Sequence, residues 1–229
     1  MTGGAGPGTP ATPPGGVRAV VLDSGETLFD ETRTWSVWAE RLGVPPFTLF
    51  VALGGVLAQG RPFHEVFDRF EPGFDYAAEL DARSLRDRPH VFTAADLHPD
   101  VVGALTALRD RGVSVFVAGN YTPEGVAAVR ALGLPVAGVL ASCELGARND
   151  EPAFFERVLK HLQLPAGAAL YVSHRLDTAL PSARLVGLRT LYLQRGPIAH
   201  ILLGTPADRR ERTRIRDLAH LPPLLEDPR

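Results

Sequence analysis

Several things are scarce in this chain. Its 229 residues include one cysteine, Cys143, so no intrachain disulfide can form and a disulfide-stapled secreted domain is excluded. One lysine, Lys160, stands against 23 arginines. With the abundant Ala, Gly and Pro, this reads as the codon bias of a GC-rich bacterial genome. No apolar run approaches the roughly 20 residues that span a bilayer, and the N-terminus lacks a basic-then-apolar signal pattern. A net charge of −2 offers no general attraction to nucleic acid or anionic membrane. The expectation is a cytoplasmic protein with neither of those as partner.

What is present is a chain with 45% hydrophobic residues, enough to bury a sizeable core. Residues 1–16 are Gly, Pro, Thr and Ala in low-complexity order and read as a disordered tail. Val17 opens an apolar strand that ends in Asp23-Ser24-Gly25-Glu26-Thr27-Leu28. The sequence thus delivers one carboxylate to a strand's C-terminal end, ahead of a tight Gly-containing turn. Open α/β sheets place their chemistry there, and a carboxylate so held can act as a nucleophile. A helical, aromatic-rich stretch follows from Arg33 to about Arg88, punctuated by Pro45-Pro46, Pro62 and Pro72-Gly73.

From Asp100 the pattern alternates. Helices are expected over 101–111, 123–132, 152–162 and 179–186, with strands over 113–118, 136–140, 168–172 and 189–193. Thr122 and Pro123 form an N-cap and first-turn pair. A short final strand and a terminal helix are expected near Ile215 and over 221–225. Strands alternating with helices of this length imply right-handed crossovers and a parallel sheet.

Together, the Asp23 turn, Gly119-Asn120, the Arg148-Asn149-Asp150-Glu151-Pro152-Ala153-Phe154-Phe155 run and Tyr171-Val172-Ser173-His174-Arg175-Leu176-Asp177 resemble the motifs of the haloacid dehalogenase-like (HAD) superfamily. That resemblance implies an α/β class, with a Rossmann-like parallel sheet and helices on both faces. Its core would be 17–31 plus 89–229, with a small helical cap over 32–88 inserted after strand 1.

The resemblance also shows what has been exchanged. Phosphoryl transfer onto a carboxylate needs a Mg²⁺ held by further acids, a cation and donors for the phosphoryl oxygens. Asp23 matches the family nucleophile. The second acid of the first motif is Gly25, the family's Ser or Thr is Gly119, its lysine is Asn149, and its metal-loop acids are His174 and Ala179. The backbone carbonyl of Gly25 and the amides of Gly119 and Asn120 remain as candidate contacts. Arg148 is a displaced positive charge.

The candidate catalytic groups are Asp23, Glu26 and His174. Gly25, Gly119, Asn120, Arg148, Asn149 and Trp35 are candidate ligand contacts. Asp23 and Asp177 are candidates for a metal, with Mg²⁺ as cofactor only if the degenerate site still holds one; Asp177 reads equally as an N-cap near Ala179. The leading expectation is a pseudo-hydrolase that binds a small molecule in the cap–core cleft or a partner protein. The alternatives are a repurposed hydrolase acting through Asp23 and a structural subunit.

Overall fold

A computed structural model of the chain describes residues 16–80, 91–211 and 213–225. Residues 1–15 of the expected 1–16 tail and the last part of the expected cap, 81–88, lie outside those residues.

Six strands form one parallel sheet: β1 (Ala19–Leu22), β2 (Ser114–Gly119), β3 (Gly138–Ala141), β4 (Ala169–Ser173), β5 (Arg189–Leu193) and β6 (Arg214–Ile215), in the order β3-β2-β1-β4-β5-β6. β1 is apolar at every position and buried on both faces, as an interior parallel strand must be. The order reverses on either side of β1, so the crevice beyond its C-terminal end lies at the sheet's topological switch point.

Between β1 and β2 the chain makes α1 (Thr32–Arg41), α2 (Pro46–Ala58), α3 (Glu65–Asp68) and α4 (Val101–Asp110). Further on come α5 (Pro123–Ala131), α6 (Ser142–Leu145), α7 (Pro152–Leu162), α8 (Ala179–Leu185), α9 (Gly196–Ile201), α10 (Pro206–Arg210) and α11 (Leu221–Leu224). The start signals read from sequence act as expected: Thr122 accepts from the Gly125 amide, and Pro123 and Pro152 each open a helix.

Two apolar clusters cover the sheet's faces. One gathers Val20, Leu22, Leu105, Val117 and Leu193; the other joins Val21, Tyr171 and Phe155 to Trp38, Leu53 and Phe67 of the helical insertion. The insertion therefore shares a core with the sheet. Gly54 of α2 faces Ile201 at the end of α9, where a Cβ would meet the Ile201 side chain at ordinary contact distance. Among the described residues no single helix is long and apolar enough to cross a membrane.

Candidate functional site

The turn after β1 is built by its own backbone. The Asp23 amide continues the ladder to the Val172 carbonyl at 2.9 Å, and the Leu28 and Phe29 amides return to the Ser24 carbonyl. Asp23 is 4% exposed. Its Oδ1 accepts from the Ser24 amide at 2.9 Å and from Asn149 Nδ2 at 3.3 Å, and its Oδ2 accepts from Ser173 Oγ at 2.6 Å. Burial pushes its carboxyl up from the ordinary aspartate value, against the pull of Ser173, the Ser24 amide and Arg175. Asn149 is itself fixed by Asn120 through reciprocal bonds of 2.7 and 3.0 Å.

Above Asp23 lies a cavity of about 570 Å³ between the strand ends and the helical insertion. Gly25, Asn120, Arg148, Asn149 and His174 line it with Asp23, so the sequence-predicted candidates converge to that extent. Others do not, and the reasons are physical.

Glu26 does not face the cavity. It occupies a left-handed backbone position at φ 50°, and its buried carboxylate turns away to accept from the Glu31 amide at 3.1 Å. Gly196 lies against it, at φ 77°, so close that a Cβ would come within 2.3 Å of a Glu26 carboxylate oxygen. Burial raises the Glu26 carboxyl to about 7. Trp35 is likewise displaced, lying in the insertion's core between Phe50, Phe63 and Phe67; Trp38, three residues on, reaches the cavity.

Gly119 sits at the end of β2 behind Ser24 and is not part of the lining. Asp177 is no helix cap: Thr178 precedes α8, and both Asp177 oxygens accept from Arg175 at 2.8 Å. Burial would raise the Asp177 carboxyl, but the Arg175 pair outweighs it and holds the group below its usual range.

Sequence reasoning missed two side chains that fill the space beside Gly25 and Gly119. A Cβ at Gly25 would lie 2.4 Å from Glu31 Oε1, so the Glu31 carboxyl occupies the space that a side chain at position 25 would need. A Cβ at Gly119 would lie 2.5 Å from Ser24 Oγ, which fills that space in turn. Burial, then the neighbouring Glu26 and Asp23, raise the Glu31 carboxyl to about 8. A glycine with a polar residue close by in sequence was the available signal. Arg175 was also missed; it lines the cavity and lies over the Phe63 ring. His174 is 4% exposed with neither ring nitrogen hydrogen-bonded, and burial followed by Arg175 pushes it down to about 3, so its imidazole is neutral.

This donor set does not fit Mg²⁺, which needs near-octahedral oxygen ligation. The Gly25 carbonyl accepts the Thr27 amide at 2.6 Å, Asp177 is bound up with Arg175, and Ala179 offers no ligand. Among the described residues no three His, Cys, Asp or Glu side chains converge as a metal set.

A sequence model of the haloacid dehalogenase-like hydrolases matches residues 17–187. The chain belongs to that family. Solved HAD structures share its fold. The HAD-hydrolase YfnB from Bacillus subtilis, bound to magnesium, superposes with a TM-score of 0.66 at 17% identity, over 92% of this chain and 99% of that one. The L-2-haloacid dehalogenase RSc1362 gives 0.65 at 20%, over 92% and 99%. A HAD phosphatase from Thermococcus onnurineus gives 0.57 at 19%, over 91% and 98%. No curated protein matches the chain by sequence. The chain thus shares the HAD fold with these structures at low sequence identity.

Proposed function

We propose that this HAD-family chain binds a small organic molecule in the cleft between its sheet and its helical insertion, which serves as a cap, and does not run Mg²⁺-dependent phosphoryl transfer. One observation carries the reading: both Asp23 oxygens are taken by donors of the chain itself, and the nearest loop acid, Asp177, is paired with Arg175. A phosphate dianion entering here would meet the Asp23 carboxyl with neither a metal nor the family's lysine to offset it, and the Arg175 of the lining is already paired with Asp177. Turnover of 4-nitrophenyl phosphate in millimolar Mg²⁺ is expected to be no faster for the wild type than for Asp23→Asn. Mg²⁺-dependent turnover that Asp23→Asn abolishes would overturn the reading.

A second reading is favoured by the way Asp23 is held. Ser173 and Asn149 orient its carboxylate at the floor of an organic-sized cavity, and several structural relatives, RSc1362 among them, are named as dehalogenases. In that reading Asp23 attacks an electrophilic carbon, expels the leaving group with its electron pair, and forms an ester that water then cleaves. Chloride release from an L-2-haloacid, abolished by Asp23→Asn, would establish it; no release would remove it.

A further inference from the structure

The acids and bases that line the cavity over Asp23 are unequally paired. Asp23 and Glu31 both contribute to its lining, and among the described residues neither makes an ion pair. The two arginines that reach the same lining are already matched. Arg175 is clamped on Asp177 by two 2.8 Å bonds, and Arg148 meets Asp150 at 3.2 Å. His174 adds no positive charge, since burial keeps its ring neutral.

Two further features bear on what would enter. The walls are aromatic: Trp38, Phe63, Tyr76, Phe92 and Tyr121 all contribute. Such rings present negative faces that attract a cation most strongly where water is excluded. In addition, His174 lines the same cavity with both ring nitrogens unpartnered and only 4% of its surface exposed. An imidazole buried without a partner costs free energy that a hydrogen-bonding ligand would recover.

We propose that the cavity takes a ligand carrying a protonated amine or amidinium on an apolar or aromatic body, with Asp23 and Glu31 as its counter-charges and Glu31 as the residue that sets the preference for positive charge. The inference rests on the cleft being a ligand site and names the chemistry of what it takes. Glu31 reaches the floor because Gly25 leaves it room; an ordinary side chain at position 25 would exclude it.

The groups facing Glu31 fix the pH dependence. They are Glu26 and Asp23 from the turn, Arg175 from the loop after β4, Trp35 of its own helix, and the tyrosines Tyr76 and Tyr121. Near neutrality this set leaves Glu31 protonated, with its carboxyl raised to about 8 by burial and by the acids beside it. A bound cation favours the ionised form, so binding releases a proton from Glu31. Affinity therefore climbs as the pH rises towards 8 and falls again once the amine itself loses its proton.

The full-length protein would be titrated at neutral pH with benzylamine, benzyl alcohol, phenylacetate and phenyl phosphate, followed by calorimetry in two buffers of different ionisation heat. Benzylamine is expected to bind roughly tenfold more tightly than the other three, with proton release. Glu31→Gln, which keeps the side chain's shape, is expected to remove that advantage, and Glu31→Asp to restore part of it. Tighter binding of phenyl phosphate or phenylacetate, or an unchanged benzylamine affinity in Glu31→Gln, would sink the charge preference while leaving the cleft a ligand site. Saturable binding by none of the four would overturn the ligand-site reading as well.

Discussion

Glu31→Gln is expected to lose much less stability between pH 6.5 and 8 than the wild type does. In the folded chain the Glu31 carboxyl sits at about 8 against an ordinary 4.5. Between those values the folded state keeps a proton that the unfolded chain has released, so stability falls as the pH rises. Glu26, raised to about 7, acts the same way over a shorter window, and Asp23 adds to the trend.

His174 works in the opposite sense. Its folded value is about 3 against an ordinary 6.5, so it adds stability as the pH climbs to 6.5 and nothing above that. Below pH 6.5 the two effects offset one another; above it the carboxyls act alone. At about 1.4 kcal/mol per unit, and discounted for the partial exposure of Glu31, the wild type should lose about 1–2 kcal/mol across that window. Urea melts at closely spaced pH values would check this. Parallel profiles for wild type and Glu31→Gln would mean that Glu31 titrates normally and does not share a floor with Asp23.

Phe67→Ala is expected to cost about 3–5 kcal/mol. The Phe67 ring is fully buried. It stacks on Phe74 at 4.8 Å and on Tyr76 at 5.2 Å, and meets Trp38 edge-on at 5.1 Å. The insertion's aromatic cluster and the sheet's cluster are one body of packing, so the cavity left by the ring would weaken both. For a chain of this size each kcal/mol lowers Tm by roughly 2–4 °C, giving a drop on the order of 10 °C. Because Trp38 and Tyr76 also line the ligand cavity, tryptophan emission should shift to the red in the same variant. A loss below about 1 kcal/mol would mean that the insertion packs independently of Phe67.

The fold was legible because each level of the sequence agreed with the next. The unbroken apolar run of β1 marked an interior parallel strand, and Thr122-Pro123 and Pro152 marked helix starts at the residues where they occur. Motif spacing likewise brought Asp23, Gly25, Asn120, Arg148, Asn149 and His174 to one cavity.

Spacing could not say which way a side chain turns. Trp35 and Trp38 lie within one helical turn, and only the rotation of α1 against the sheet decides which of them meets the cavity. Glu26 stands where the family resemblance gives glycine. It keeps a left-handed backbone and sends its carboxylate under Gly196, a pairing across 170 residues that no local pattern announces. Asp177 was visible as an acid but not as the partner of Arg175.

The exchanges themselves misled most. Gly25 and Gly119 read as deletions of function, but the space beside each is occupied by a polar side chain, Glu31 just ahead of α1 for one and Ser24 of the turn for the other. In three dimensions the space beside each glycine holds a polar side chain, and that follows from volume, which a linear sequence does not display.

Whether the site holds a metal is read by calorimetric titration of the wild-type protein with Mg²⁺ at neutral pH, alongside Asp23→Asn. No saturable heat is expected in the millimolar range for either protein, because the Gly25 carbonyl, Asp177 and Ala179 leave the ion without its second and third oxygen ligands. Millimolar or tighter Mg²⁺ binding that disappears in Asp23→Asn would contradict it and restore this chain to the metal-dependent hydrolases of its family.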